Sequence, residues 1–391
     1  MNKNQDQASE DKKRILNILQ KLSAYQQQDY DISSGRILGS MITKIHPIAK
    51  QAYMQFIETN IGDPGLCPGT KQMEAEFIDF LLSMLHAPKH ASGHIVSGGT
   101  EGNITAIWIA KEITKKKEII IPASAHFSFQ KIASLMNMRV QTLPLTKSYV
   151  LDITNVKKSI SKDTAAIVGI AGSTDLGTID PIEELGEICS DEHIFLHIDA
   201  AFGGFVIPFL KELGFPAGSF DFSIPGVSSI SIDAHKMGQA PIPLGTLLLR
   251  EQEWIETISV QSPCISIDKQ AGFLGTRSGG PLAAGYTMIQ YLGHQGFKEI
   301  IKNCMKATLY TTKRIEEIGL SLVIPPTMNL IAVRLQHPKK ITHLLEQQKW
   351  KVNAMPHLQS IRIVCMPHVT SSVIDEFIPV FEAVCKKEGE L

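Results

Sequence analysis

The chain has 391 residues, with 38 Lys+Arg against 39 Asp+Glu and a formal net charge of −1. Apolar residues make up 43% and charged ones 20%, the balance of a globular chain with a large core, which excludes disorder as its main state. No basic excess marks a nucleic-acid binder or a membrane-surface binder, and no apolar stretch approaches the ~20 residues that a bilayer span needs. At roughly 150 residues per domain the length corresponds to two or three domains. The first residues, MNKNQDQASEDKK, are polar and lack the apolar core of a signal peptide. Six cysteines at 67, 189, 264, 304, 365 and 385 are scattered, with no CxxC pair. Free thiols in a cytoplasmic protein are therefore expected, and no metal site.

Residues 14–28 carry Ile15, Ile18, Leu19 and Leu22 at helical spacing and predict an amphipathic helix. Residues 47–59 predict a second helix, with proline at its start. The segment NIGDPGLCPGT (60–70) is dense in Gly and Pro and reads as a structured loop. Residues 71–86 are helical again. Short β-branched runs then lie at 118–121, 165–170, 194–199, 228–233 and 246–249, the first few separated by helical stretches or loops. They are continuously apolar rather than alternating, as strands covered on both faces are. That pattern predicts an α/β fold with a doubly wound, mainly parallel sheet, in which ligands bind at the carboxyl ends of strands. From about residue 279 a long helical region (281–318) leads to a strand (329–335), a helix (340–348), the run IRIVCM (361–366) and a closing helix (371–386). The expected organisation is an N-terminal helical segment (1–60), a large domain (61–300) and a small C-terminal α+β domain (301–391). The second boundary falls inside a long helix.

Four segments carry chemistry. In SISIDAHKMG (229–238) a strand ends at Asp233 and is followed by His235 and Lys236; alone, such a lysine reads as a solvated loop residue. In SGGTEGN (97–103) Gly98 and Gly99 free the backbone before a helical run. Unpaired N–H groups and a helix dipole then meet at one point, which suits a phosphate; alone, it is a Ser/Gly turn. In FLHIDAAFGG (195–204) Asp199 ends an apolar strand, where a carboxylate needs a cation or acts as a turn residue. In PASAHFSF (122–129) His126 follows a strand among small and aromatic neighbours, where it could stack on a flat ring or simply cap a turn. Together they supply a phosphate cradle, a stacking ring, an anion and an amine, which is the set that pyridoxal 5′-phosphate needs. Lys236 would provide the amine for the covalent link. Asp199 would keep the ring nitrogen protonated, so that the ring acts as an electron sink.

The chain resembles group II pyridoxal-phosphate-dependent decarboxylases of the aspartate aminotransferase fold (fold type I), and within them the archaeal L-tyrosine/L-aspartate decarboxylase family. The resemblance runs through ETNIGDPGL (58–66), GHIVSGGTEGN (93–103), AHFSF (125–129), GIAGSTDLGTIDPIEEL (169–185), HIDAAFGGFVIPFL (197–210), SIDAHKMGQAPIP (231–243), FLGTRSGG (273–280) and IRIVCMPH (361–368). It implies a seven-stranded large domain and a homodimer whose site lies at the subunit interface. It further implies phosphate contacts from Ser97, Gly98, Gly99, Thr100 and His235, and a Thr174 near the cofactor's phenolic oxygen. Ala201 and Thr276 complete the implied cofactor contacts, and the GTR segment (275–277) reaches the partner subunit's cofactor. Arg362 and Asn60 are the implied substrate contacts, the arginine as a fork for a carboxylate.

One departure stands out. Related decarboxylases carry a tyrosine on the loop after the lysine segment, and SVQSPCISIDKQAGFLGTR (259–277) has none. Cys264 follows the proline where that tyrosine would sit. Either Cys264 protonates the substrate carbon, or it is an ordinary loop residue and His126 or Lys236 does so. The expected activity is α-decarboxylation of an L-amino acid, aspartate to β-alanine or tyrosine to tyramine, serving coenzyme A or methanofuran synthesis. Two alternatives stay open: a carbon–carbon lyase resembling sphingosine-phosphate lyase, and a pyridoxal-phosphate-binding protein that has lost catalysis.

Overall fold

A computed structural model describes residues 2–391. Three helices come first: α1 (Asn2–Gln26), α2 (Pro47–Gln55) and α3 (Pro68–Met84). Helix α2 stops four residues short of the expected end, and α3 begins earlier, at a proline already set for the first helical turn. The apolar stripe on α1 exists as expected, but Ile15, Ile18, Leu19 and Leu22 are each more than half exposed in the single chain.

Among the described residues, seven strands form the main sheet: β1 (Ser92–Val96), β2 (Glu118–Pro122), β3 (Arg139–Leu143), β4 (Thr164–Ile170), β5 (Phe195–Asp199), β6 (Val227–Asp233) and β7 (Gly245–Leu249). Their order is β1-β7-β6-β5-β4-β2-β3. Strand β7 runs antiparallel to both neighbours, and the other pairings are parallel. Every residue of β4, β5, β6 and β7 is buried. Successive side chains serve opposite faces: Ile120, Leu196, Ile198 and Leu248 join one core cluster, while Ile119, Ile121, Phe195, Leu247 and Leu249 join another. Burial on both faces is why these strands read as unbroken apolar runs.

The direction of strand addition reverses between β2 and β4. From β2 the chain steps outward to β3, then returns to add β4, β5, β6 and β7 on the other side. Such a reversal opens a crevice at the carboxyl ends of the strands. Helix α4 (Gly99–Thr114) follows β1 and packs through Ile107 on the sheet face that holds Val96 and Val168.

The long helix Gly279–Glu317 breaks at Gly293 (φ 55°, ψ −172°), and the expected boundary near 300 lies within it. Beyond it, Leu330–Arg334, Ser360–Val364 and Asn353–Met355 form a small antiparallel sheet in that order. Helices Pro338–Gln347 and Ser371–Lys387 accompany it. Residues before α2 also join this unit: Leu38 N–H donates to Lys351 O at 2.8 Å, and Val364 N–H donates to Leu38 O at 2.6 Å. We retain the division at 60 and 300 as a proposal.

Candidate active site

The turn between β1 and α4 is built around Gly98, whose backbone (φ 157°, ψ −178°) is a conformation reserved for glycine. A Cβ there would stand 2.9 Å from His235 Cε1, and one on Gly99 would stand 3.0 Å from Ala201 Cβ. Glu101 fixes the turn from inside the helix by accepting from Ser97 N–H at 2.6 Å. The Gly102 N–H closes the first helical bond, to Gly98 O at 3.0 Å. The preceding N–H groups at the start of α4 have no intrahelical partner, so they and the helix dipole are open to an anion.

This turn lines one end of a cavity of about 340 Å³ at the carboxyl ends of the strands. Ser97, Gly98, Gly99, Thr100, His126, Thr174, Asp199, Ala201, His235 and Lys236 all line it. These ten of the fourteen residues singled out in the sequence come from five separate segments. Each arrives there because a strand or helix ends at the crevice.

Asp199 ends β5. Its Oδ1 accepts from Ala201 N–H at 3.1 Å and its Oδ2 from Asn103 Nδ2 at 2.8 Å. Behind Asn103 stands His197, fully buried, with Nε2 2.9 Å from Asn103 Oδ1 and Nδ1 2.8 Å from Ser229 Oγ. Burial drives the His197 pKa down to about 4, against the pull of the nearby Asp199 carboxylate. The ring is neutral near pH 7. His126 accepts at Nδ1 from Ser128 N–H at 3.3 Å. Partial burial lowers its pKa too, and Asp199 opposes that shift.

Lys236 Nζ lies 3.1 Å from Asp233 Oδ2, and His235 Nε2 lies 3.6 Å from the same oxygen. Asp233 is buried at the end of β6, and its Oδ1 has no hydrogen-bond partner among the described residues. His235 Nδ1 is 2.9 Å from Leu244 O. Asp233 and Asn103 were not singled out from sequence. The signal for Asn103 lay in its spacing, one helical turn after Gly99, which points it at the same cavity.

Asn60, Cys264, Thr276 and Arg362 do not line this cavity in the single chain. Asn60 Oδ1 accepts from Gly62 N–H at 2.8 Å and Arg277 N–H at 3.1 Å, so it anchors the GTR segment. Thr276 is exposed. Cys264 is exposed on a loop that Ser266 ties to Asp63 and to Gly65 N–H, the latter at 2.7 Å. Arg362 is buried just behind the cavity wall: Nη1 donates to Thr174 O at 2.7 Å and Nη2 to Gly39 O at 2.6 Å. Its buried Nε has no partner among the described residues.

The pyridoxal-dependent decarboxylase conserved domain matches residues 39–336. The chain belongs to that family. The probable L-tyrosine/L-aspartate decarboxylase of Methanothermobacter thermautotrophicus is 42% identical over 360 residues, covering 91% of this chain and 99% of that protein. The L-aspartate/L-glutamate decarboxylase of Pyrococcus horikoshii is 42% identical over 366 residues, covering 92% and 95%. In fold, the decarboxylase is similar to the sphingosine-1-phosphate lyase of Burkholderia pseudomallei, with TM-score 0.88 and 26% identity over 96% of this chain and 90% of that one. It is also similar to the Lactobacillus brevis glutamate decarboxylase, with TM-score 0.85 and 20% identity over 94% and 92%. The fold is fold type I. The enzyme is a pyridoxal-5′-phosphate-dependent amino-acid decarboxylase.

The residues present fit that cofactor. A glycine-only turn at a helix start leaves room and donors for a phosphate, a Cβ at Gly98 would fill that room, and a buried carboxylate and a lysine share the same cavity. Among the described residues no cluster of three or more His, Cys, Asp or Glu is arranged to hold a metal ion, and no helix is long and apolar enough to cross a membrane.

Proposed function

We propose that this cavity is the catalytic centre and that it removes the α-carboxylate of L-aspartate or L-tyrosine, giving β-alanine or tyramine. The observation that carries this reading is the convergence of Lys236, Asp199, His126 and the Gly98 turn on one cavity at the strand ends. Aspartate is the leading substrate, because it is common to the names of the Methanothermobacter and Pyrococcus relatives and to the probable L-aspartate decarboxylase of Archaeoglobus fulgidus, 40% identical over 374 residues. β-Alanine would serve coenzyme A synthesis, and tyramine methanofuran synthesis.

When bound, the cofactor supplies an electron sink for the pair released as the Cα–carboxylate bond breaks. The residues of this chain do the rest. Ser97, Thr100, the backbone of Gly98 and Gly99, and His235 would hold the phosphate. His126 would stack on the ring, Thr174 and Ala201 would flank it, and Asp199 would hold a proton on the ring nitrogen, since an adjacent anion favours the charged form. Lys236 would supply the amine that holds the cofactor covalently. Asp233 receives the lysine ammonium whenever it is free. Arg362, held behind the cavity wall by Thr174 O and Gly39 O, would reach a substrate carboxylate only once those contacts open, and Asn60 would set the GTR loop. Cys264 and Thr276 would meet a cavity in a homodimer, where each chain completes the other's site; the proton to Cα comes from Cys264 or from His126 or Lys236. A cytoplasmic location accompanies this reading.

The test is a survey of the amino acids for carbon dioxide release, with identification of the amine. Release from aspartate or tyrosine supports the reading. Aldehyde release from a phosphorylated sphingoid base without carbon dioxide would move the chain to the lyase reaction. A protein that binds the cofactor yet turns over nothing would have lost catalysis.

A further inference from the structure

The Asp199 carboxylate is held by a buried line of polar groups that crosses three elements: Ser229 on β6, His197 on β5 and Asn103 on α4. The hydrogens along this line can be assigned from chemistry. The Asn103 amide must turn Nδ2 toward the carboxylate, because the opposite rotamer sets two acceptors against each other. Its Oδ1 therefore faces His197 Nε2 and needs a donor there, 2.9 Å away. A neutral imidazole has one proton, so Nδ1 is bare and accepts from the Ser229 hydroxyl at 2.8 Å. Each group then has one possible direction, running from the serine hydroxyl to the carboxylate.

We propose that His197, acting through Asn103, is a positioning residue that locks the Asn103 amide with its NH2 toward Asp199 and so keeps that carboxylate ionised and aimed into the cavity. This rests on the reading of Asp199 as the partner of the cofactor's ring nitrogen. Hydrogen bonds to an anion favour its charged form. Without the His197 donor, the buried Asn103 Oδ1 has no partner, and only the carboxylate itself and Ser128 Oγ, 3.3 Å from Nδ2, hold the amide. Besides His197, the titratable groups that share the cavity with this carboxylate are His126 after β2 and Asp233, His235 and Lys236 at and just after the end of β6.

The first test uses the apoprotein, labelled with nitrogen-15 at histidine, with the His197 signals assigned by their absence in His197→Gln. The expected spectrum has Nε2 protonated and Nδ1 bare, unchanged from pH 5 to pH 8. A protonated Nδ1, or titration with an ordinary midpoint near pH 6.5, would overturn the assignment. The second test compares His197→Phe, which loses the donor, with His197→Gln, which keeps one at the Nε2 position. At saturating cofactor His197→Phe is expected to lose about 10- to 100-fold in kcat, the worth of a hydrogen bond to a charged group. His197→Gln recovers most of that loss. If Phe matches wild type in kcat, or if Gln restores nothing while folding normally, the positioning role is wrong. Asp199→Ala separates the two readings: full turnover in that variant refutes the underlying role of Asp199, whereas a large loss there beside a silent His197→Phe refutes only the relay.

Discussion

Replacing Gly98 with alanine probes the phosphate cradle directly. The Gly98 backbone sits at φ 157°, ψ −178°, where an L side chain is strained, and holding a non-glycine residue there costs about 1–3 kcal/mol. The new methyl would also stand 2.9 Å from His235 Cε1. The backbone cannot retreat, because Gly245 lies against it so closely that even a Cβ on Gly245 would come within 2.6 Å of Gly98 Cα. His235 must therefore swing away, and its Nδ1 contact to Leu244 O at 2.9 Å breaks. If the strain is expressed on binding, about 1–3 kcal/mol corresponds to a 5- to 150-fold rise in the Kd for pyridoxal 5′-phosphate. Titrating the apoprotein with the cofactor, followed by absorbance and protein fluorescence, measures that rise. Gly69, whose Cβ would meet nothing within 4 Å, is the control. A Gly98→Ala protein that binds the cofactor as tightly as Gly69→Ala would show that the phosphate does not sit on this turn.

Three further outcomes are expected. Borohydride should fix the cofactor to the wild-type chain on the Lys236 peptide and leave Lys236→Ala unlabelled; a reduced adduct on that variant in the same cavity would contradict the assignment, as read by peptide mass. In aerated buffer, where dioxygen can oxidise a substrate carbon that is protonated late and so give aldehyde in place of amine, exchanging Cys264 for tyrosine should raise the amine-to-aldehyde ratio and exchanging it for serine should lower it, since general-acid help is worth ~10²–10⁴ in rate; ratios unchanged in both would leave the proton to His126 or Lys236. Urea unfolding across pH should show the cost of His197 burial. Its folded pKa of about 4 lies below the ordinary value of 6.5, so its contribution is complete above about pH 6.5 and is lost as pH falls toward 4. Relative to His197→Gln, wild type should lose on the order of 3 kcal/mol over that interval, and parallel pH curves would show that this ring is not held neutral.

The sequence makes some strands legible and hides others for physical reasons. The runs of β4, β5, β6 and β7 are buried on both faces, and their composition says so. Strand β1 is SGHIV, with apolar residues only at its end, and β3 is RVQTL on the sheet edge, where exposed Arg139 and Thr142 break the pattern. The reversed direction of β7 was equally hidden. It follows from the short connection that sets Gly245 opposite Asp233, too tight for a crossover helix.

The site divides in the same way. Lys236, Asp199, His126 and the Ser-Gly-Gly-Thr turn are visible because each closes a strand or opens a helix. Arg362 was visible as a residue type, but its partners are not, because Thr174 and Gly39 lie 188 and 323 residues away in the chain. The line from Ser229 through His197 and Asn103 depends on the register of β5 against β6 and on the pitch of α4, and neither is written locally. Asp233 reads as a strand-end residue, and only the fold shows it buried against Lys236.

The most direct measurement follows carbon from L-aspartate labelled with carbon-13 at C1 or, separately, at C4. We expect labelled carbon dioxide from the C1 substrate alone, with one β-alanine formed per carbon dioxide, and neither product from Lys236→Ala. Carbon dioxide from C4 with alanine as product, or turnover that persists without Lys236, would contradict α-decarboxylation at this cavity.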